Sequence, residues 1–179
     1  DLSVFLITSD EGHILINTGL ADSTEVIRRN IESLGFRLED VSILLTMQAH
    51  WDHTAAMAEI KQIAGAEVWA TAKDARVLED GGFSDAHFGG RESFDPVAVD
   101  RILEQDEVIT LGDLRITVHE HPGHTEGSSS YSFQVTEDGR TYDVAIANMG
   151  TVNPGKQLVV EPTYSGVAVD FATTYNRQK

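Results

Sequence analysis

The sequence has no cysteine among its 179 residues, and this absence limits the chemistry open to it. It can form no disulfide bond, and it has no thiolate to bind a metal ion. A metal site in this chain therefore has to use histidine, aspartate, glutamate or an amide oxygen as its ligands. The absence does not decide the cellular compartment in which the protein works.

Basic residues and long apolar runs are also scarce. The chain has 13 lysines and arginines against 29 aspartates and glutamates, for a formal net charge of −16. Nucleic acids and anionic membranes are bound through clustered lysine and arginine, so we expect neither as a partner. No apolar run approaches the ~20 residues of a membrane helix. The N-terminal stretch is not patterned as a signal peptide, because it lacks a basic start and is interrupted by Ser9, Asp10 and Glu11.

The apolar patterns predict an α/β protein with a mixed sheet and helices outside it. Two apolar runs around the turn SDEG predict a hairpin. The helix that follows is predicted to begin with a capping box of Asp22 and Glu25 and to end at Gly35. Residues 41–47 predict a short strand buried on both faces, and a second helix after it ends at Gly65.

The second half predicts a strand in AEVWAT, a short helix in AKDARVLEDGG, two hairpins and a closing helix capped by Ser165. The second hairpin turns at Asp138-Gly139. A long loop interrupts the pattern, and its segment DAHFGGRESF is a candidate flap over a cleft. No linker divides residues 1–179, so we expect a single domain. We expect it to be incomplete at both termini, because it starts inside a strand and stops inside a helix.

Two loops that follow predicted strands contain four of the seven histidines. The first, QAHWDH, places His50, Asp52 and His53 directly after an apolar strand. In the second, EHPGHTEG, a Pro-Gly turn projects His124, and His121 lies just before it. Imidazole and carboxylate are the usual zinc ligands of a protein without cysteine. The two loops together predict a metal site, since both motifs occur by chance in fewer than about one case in ten.

The remaining histidines are assigned no role in the chemistry. His13, His87 and His119 are predicted to be surface or hydrogen-bonded structural residues. His121 is predicted to be either structural or a support for the neighbouring ligands. The run GSSS is predicted to lead from the loop into a strand, with Ser128 as its one residue that could touch the site.

These motifs resemble those of the metallo-β-lactamase superfamily, whose fold is an αβ/βα sandwich with one or two metals between its sheets. The resemblance extends over the whole chain. ILINTGLADS resembles an early strand and turn of the family, and LLTMQAHWDHTA and HPGHTEGSSSYSF resemble its two ligand loops. FDPVAVDRILEQDEVITLGDLRITVHEHPGHTEGS and ANMGTVNPGKQL resemble the third subclass of metallo-β-lactamases. Gln48 in place of a first histidine, with Asn17 and Met149, resembles a glutamine-bearing branch of that subclass.

The resemblance implies a zinc-dependent hydrolase of the β-lactam amide bond. Gln48, His50 and His124 would line a first zinc site. Asp52 and His53 would bind a second zinc, whose third ligand in the family is a histidine beyond the closing helix. Zinc lowers the pKa of bound water to roughly 7. A metal-bound hydroxide would therefore attack the lactam carbonyl, while Asp52 binds metal and orients the water.

The glutamine changes the expected metal content. An amide oxygen is a weaker zinc ligand than imidazole. We therefore hypothesise that one zinc is held tightly, by Asp52, His53 and the histidine beyond this segment, and that the site with Gln48 fills weakly. In the alternative, Gln48 and a water still complete a usable first site. The candidate substrate contacts are Trp51, Thr151, Asn153 and Lys156.

The main alternative is a hydrolase of thioesters or lactones with the same fold. Those relatives usually carry a bridging aspartate where DVAIAN ends, and Asn148 and Met149 at that place favour the β-lactamase. A third hypothesis is a catalytically impaired relative that binds metal weakly, although the intact H-x-D-H and P-G-H-T motifs argue against it. The resemblance further implies a periplasmic or secreted enzyme acting on small-molecule β-lactams, and we expect a monomer.

Overall fold

The computed structural model describes residues 3–148, 150–156, 158 and 163–177. Its first sheet has five strands, whose order across the sheet follows the chain. They are β1 Phe5–Ser9, β2 Gly12–Ile16, β3 Val41–Leu45, β4 Glu67–Thr71 and β5 Arg101–Leu103. β1 and β2 form the predicted antiparallel hairpin, and the other neighbours pair in parallel. β3 is apolar except for Ser42 and almost wholly buried, because both faces of this parallel part of the sheet are covered.

Helices cover one face of this sheet. They are α1 Thr24–Ser33, α2 Trp51–Thr54, α3 Met57–Ala64 and α4 Ala72–Asp80, with a 3₁₀ turn at Leu38–Asp40. α3 and α4 each end at a glycine in the left-handed conformation, Gly65 (φ 66°) and Gly81 (φ 71°). Apolar side chains of the sheet and the helices form one cluster between them, which includes Leu15, Leu44, Val68, Ile27, Ile31, Met57, Ile60 and Leu78.

The second sheet is antiparallel throughout. Its four strands are β6 Val108–Leu111, β7 Leu114–Glu120, β8 Ser129–Glu137 and β9 Arg140–Ile146, in chain order. The hairpin between β8 and β9 turns at the predicted pair, and both Asp138 (φ 51°) and Gly139 (φ 76°) have positive φ. Two consecutive residues of positive φ are typical of the tight turn that matches the twist of a hairpin.

The two sheets pack face to face. Their shared cluster contains Ile14, Ile16, Ile43, Leu45, Trp69, Leu103, Ile109, Ile116, Val118, Tyr131 and Ile146. Each fully buried aliphatic side chain contributes about 1.5–3 kcal/mol relative to an exposed one. The last helix, α5 Val167–Arg177, lies at one end of the second sheet, where Phe171 approaches Gly123 and the Thr174 hydroxyl donates to the Pro122 carbonyl at 2.7 Å. The predicted fold of two sheets with outer helices is confirmed.

Several local predictions are wrong. α1 is preceded by Ser23 rather than Asp22, and no side chain caps it. The Ser23 hydroxyl instead accepts from the Leu20 N–H (3.0 Å), because it is used by the turn that leads into the helix. α5 begins two residues after Ser165. The strand β5 and the four-residue helix α2 were not predicted, since both are shorter than the periodicity of their class can reveal.

The topology brings the two histidine loops to one edge. β2, β3 and β4 run parallel, so the loops that follow them emerge at the same edge of the first sheet. The second histidine loop leads into β8. The first residue of β8, Ser129, donates its N–H to the Met47 carbonyl (2.8 Å), which places this loop beside the one after β3. Among the described residues, no helix is long and apolar enough to cross a membrane.

Candidate metal centre

The loop after β3 is held by both sheets through its backbone. Asn17, at positive φ (65°) after β2, accepts from the Met47 N–H (3.0 Å) through Oδ1. Tyr131 of β8 donates to the Thr46 carbonyl (2.7 Å), and its buried position raises the pKa of the phenol. Asn148, after β9, donates its side-chain amide to the Met47 carbonyl (2.7 Å). These bonds hold the loop backbone in place without any contribution from the predicted ligand side chains.

This loop presents the first group of predicted ligands. Gln48 is buried, and its N–H and carbonyl both bond to the Thr46 hydroxyl (3.2 and 2.6 Å). His50 has extended backbone (φ −90°, ψ 149°), and its carbonyl accepts from the first turn of α2. Asp52 and His53 follow within that helix, with Oδ2 and Nε2 3.9 Å apart. Trp51, also in α2, is half-buried.

The second loop presents His124. Its Nδ1 lies 2.7 Å from the Thr151 carbonyl, which can only accept, so Nδ1 carries the proton and the lone pair is on Nε2. Asn153 donates its side-chain amide to the His124 carbonyl (2.8 Å). Thr151 and Asn153, predicted as substrate contacts, thus hold a predicted ligand in place. Lys156 donates its ammonium to the Ala86 carbonyl (2.9 Å) and lines a cavity with His124.

The loop after α4 adds two residues that the sequence did not point to. Asp85 Oδ1 lies 3.2 Å from His50 Nε2, and both side chains are almost fully buried. Burial would raise the pKa of Asp85, but the His50 ring and the N–H groups of His87 and Phe88 outweigh it and lower that pKa. The ring centroid of His87 is 6.2 Å from that of His50, although His87 was predicted to have no role. No spacing in the sequence links these residues to His50.

The predicted ligands lie close enough to affect one another. The ring centroids of His50 and His124 are 4.9 Å apart. Burial lowers the pKa of both His53 and His124, and the neighbouring His50 lowers each further. Asp52 acts in the opposite direction on both, but does not prevent the decrease. His53 and His124 are therefore favoured as neutral imidazoles, which is the form that binds metal.

The donors fit zinc in type, and they are gathered in pairs. Imidazole, carboxylate and amide oxygen are the ligands that zinc can take in a chain without cysteine. In the ranges that the structure describes, no three histidine or acidic side chains converge on a common point as metal ligands do. The pairs are His50 with His124 and Asp52 with His53. The fit thus rests on the donor types and on the lowered pKa values of His53 and His124.

A buried carboxylate, Asp74, contacts both loops that contain the predicted ligands. Asp74, the third residue of α4, accepts from the Thr125 hydroxyl (3.0 Å) and lies beside the Ala49 N–H. Burial raises the pKa of Asp74 to about 6, and the bonds from Thr125 and Ala49 reduce the increase. Gly127 packs so close to the start of α4 that an added Cβ would lie 2.5 Å from the Asp74 nitrogen. Thr125 follows His124 and Ala49 precedes His50 in the chain. Asp74 therefore helps to hold both loops in position.

The other histidines and Ser128 make contacts that stabilise the fold. His121 Nδ1 is 2.6 Å from the Ser130 hydroxyl, which also accepts from the Asn148 N–H. His119 bonds to the Ser132 hydroxyl in the same sheet (2.7 Å). Ser128 accepts from the Thr125 N–H (3.0 Å), within its own loop. His13 packs edge-on against Phe36, with ring centroids 5.0 Å apart. Met149 lies outside the described residues.

Comparison with known proteins decides the family. The sequence profile described as the metallo-beta-lactamase superfamily matches residues 2–137. The chain belongs to the metallo-β-lactamase superfamily. The predicted resemblance to the superfamily is thereby confirmed, and class B3 metallo-β-lactamases among the similar solved structures bear out the third subclass.

Solved metallo-β-lactamase structures superimpose on nearly the whole chain. GOB-18 from Elizabethkingia meningoseptica is 40% identical, with a TM-score of 0.95 over 99% of this chain and 66% of that one. The class B3 di-zinc enzyme LRA-12 from an Alaskan soil metagenome is 46% identical, with a TM-score of 0.94 over 98% and 67%. The β-lactamase from Chitinophaga pinensis is 44% identical, with a TM-score of 0.94 over 97% and 66%.

The similar curated proteins carry the name of a different hydrolase. A hydroxyacylglutathione hydrolase from Bradyrhizobium sp. (strain BTAi1) is 31% identical over 141 residues, which cover 74% of this chain and 47% of that protein. Hydroxyacylglutathione hydrolase GloC from Haemophilus influenzae is 29% identical over 123 residues, covering 68% and 56%. The chain spans about half the length of these relatives and about two thirds of the metallo-β-lactamases.

Proposed function

We propose that the intact protein is a zinc-dependent enzyme that hydrolyses the β-lactam amide bond. The three β-lactamases of known structure are 40–46% identical to this chain over nearly its whole length. The hydroxyacylglutathione hydrolases are 29–31% identical over about three quarters or less. Both groups are hydrolases, so the choice between them rests on the site itself.

Asn148 is the observation that carries the proposal. Thioester hydrolases of this fold usually have a bridging aspartate at the end of the strand that corresponds to β9. Here the Asn148 amide donates to the Met47 carbonyl at 2.7 Å. A carboxylate cannot donate, and it would be repelled by that carbonyl oxygen. The position therefore supports the ligand loop in this chain, which favours the lactamase.

We assign the metal ligands to two sites. Gln48, His50 and His124 would hold one zinc, and Asp52 and His53 would contribute to the other. When bound, zinc supplies Lewis acidity, which lowers the pKa of water to roughly 7 and stabilises developing negative charge. This makes a serine nucleophile unnecessary, in keeping with the role of Ser128 within its own loop.

The chain's own residues orient the reactants. The Asp52 side chain is only partly buried, so it can accept a hydrogen bond from the attacking water and fix its direction. The Thr151 carbonyl holds His124 in one tautomer, and the Asn153 amide holds its backbone. Lys156 lines the cavity next to His124 and carries the charge that would attract a substrate carboxylate. Trp51, half-buried at the start of α2, would contribute to the cleft floor.

The test is hydrolysis of a chromogenic cephalosporin by the full-length protein. We expect activity that is lost on chelation and returns when zinc is added. His124→Ala should lower kcat/KM by at least about a hundredfold, because it removes a metal ligand. His119→Ala is the matched control, since His119 bonds to Ser132 within the second sheet. Turnover that survives exhaustive chelation would contradict the proposal.

The second candidate is hydrolysis of hydroxyacylglutathione thioesters, which the names of the curated relatives support. The same preparation should be assayed with such a thioester under identical metal conditions. Thioester turnover without lactam turnover would replace the first proposal with this one. We further propose that the intact protein is a monomer that works in the periplasm or outside the cell, where β-lactams meet wall-building enzymes. Cell fractionation and gel filtration test these two points.

A further inference from the structure

The loop between α4 and β5 folds into a compact turn around Asp85. The Gly89 N–H donates to the Asp85 carbonyl (3.0 Å), and the Gly90 N–H returns to the Gly82 carbonyl (3.1 Å). Glycines with positive φ at both ends, Gly82 (95°) and Gly90 (80°), allow the chain to reverse direction. The predicted flap is therefore an ordered loop with a buried carboxylate inside it.

The two oxygens of Asp85 have different partners. Oδ2 accepts from the N–H groups of His87 (2.8 Å) and Phe88. Oδ1 points the other way and lies 3.2 Å from His50 Nε2. One oxygen thus fixes the carboxylate to its own loop, and the other is held against the imidazole.

The His50 ring is enclosed on the side of Asp85. Nε2 is buried and makes no well-aligned hydrogen bond, and the Asp85 carboxylate oxygen lies 3.2 Å from it. Phe88, from the same loop, packs edge-on against the ring with centroids 5.0 Å apart. Metal-binding imidazoles usually donate their second N–H to a carboxylate or carbonyl, which fixes the tautomer and makes the ligand nitrogen more basic.

We propose that Asp85 is a positioning residue for His50: its carboxylate accepts a hydrogen bond from Nε2–H and leaves Nδ1 as the nitrogen that binds zinc. This inference rests on the metal sites of the proposed function. His124 is held in the opposite tautomer by the Thr151 carbonyl, so the two imidazoles face the first site through different ring nitrogens. With Gln48 as a weak third ligand, the more basic Nδ1 of His50 becomes important for the affinity of that site.

The first test needs no bound metal. Long-range ¹H–¹⁵N correlation spectra of the metal-free, full-length protein at pH 8 report which ring nitrogen carries the proton. The His50 signals are assigned by their absence in His50→Ala. We expect the proton on Nε2, and a proton on Nδ1 would overturn the proposal.

The second test measures zinc affinity by competition with a chromophoric chelator. It uses Gln48→His as the background, because a third imidazole makes the first site strong enough to measure. Asp85→Ser keeps one oxygen for the His87 N–H and removes the oxygen that faces His50. We expect zinc binding to weaken by about 10- to 100-fold. Asp95→Asn, an exposed change further along the same segment, should leave it within about twofold.

The outcomes separate this inference from the proposed function. Unchanged zinc affinity in a folded Asp85→Ser protein would refute the role of Asp85, whatever the enzyme hydrolyses. If Asp85→Ser does not fold, the tautomer of His50 in the unmutated protein decides the question. If the unmutated and Gln48→His proteins bind no zinc, the proposed function fails, and the tautomer still tests the contact between Asp85 and His50.

Discussion

Replacing Asp74 by asparagine tests how strongly the fold disfavours a charge beneath the two ligand loops. Burial raises the pKa of this carboxyl from 3.8 to about 6, although Thr125 and Ala49 donate to it. The folded protein therefore keeps the Asp74 proton to higher pH than the unfolded chain does. The contribution of Asp74 to the free energy of unfolding therefore falls as the pH rises from about 4 to about 6, and then stays level.

The magnitude follows from the two pKa values. A pKa raised from 3.8 to about 6 corresponds to about 3 kcal/mol of lost stability once the group is ionised. An asparagine side chain carries no charge at any pH, so the Asp74→Asn protein lacks this contribution. Relative to the unmutated protein, we expect its free energy of unfolding to increase by about 2–3 kcal/mol between pH 4 and pH 7.5. Any pH-independent effect of the amide on the free energy of unfolding cancels, because the comparison is between two pH values.

The assay is urea unfolding of metal-free protein, followed by tryptophan fluorescence at several pH values. Asp138→Asn is the control, because Asp138 is exposed in a hairpin turn that asparagine also tolerates. Its difference from the unmutated protein should not change with pH. A difference for Asp74→Asn that is equally flat, within about 0.5 kcal/mol, would refute the idea that this buried carboxyl resists ionisation.

Three further substitutions test other parts of the site. Gln48→His should raise the zinc content of protein purified without added zinc from about one to about two ions per chain, measured by mass spectrometry; two tightly bound zincs in the unmutated protein would contradict this. Asn148→Asp should lower the free energy of unfolding by about 1–3 kcal/mol, because it removes the donor to the Met47 carbonyl; an unchanged urea midpoint would show that this bond is dispensable. Gly127→Ala should cost about 1–3 kcal/mol through its clash with the start of α4, whereas Gly150→Ala, with ordinary contacts at 3.5 Å, should cost much less; equal effects would refute the close approach.

The sequence was informative where side chains are neighbours in the chain. His50, Asp52 and His53 lie within four residues of one another after an apolar strand, so their common location followed from local pattern and strand order. The β8–β9 turn was equally predictable, because aspartate and glycine are the residues that tolerate its positive φ angles. The apolar runs predicted most strands and a mixed sheet with outer helices, whereas the division into two sheets was expected only from the family resemblance.

Contacts between distant residues could not be predicted in this way. Asp85 lies 35 positions from His50 in a loop of ordinary polar composition, and its carboxylate is indistinguishable in sequence from those on the acidic surface. Asp74 had a simple alternative explanation, because an acidic residue in the first turn of a helix is favoured by the helix dipole. Thr151 and Asn153 were located near the site, but their contact with His124 depends on how two loops meet.

The anchoring of residues 46–50 bears on how this centre can change during evolution. The backbone of that loop is positioned by Asn17, Tyr131 and Asn148, none of which is a predicted ligand. Under the proposed ligand assignment, exchange of glutamine and histidine at position 48 alters the donor without removing any of these three anchors. On that assignment, we expect a change of donor at position 48 to alter metal affinity while the loop stays folded. Ligand identity becomes a trait that selection can tune almost independently of the scaffold, in response to metal supply or to the compounds encountered.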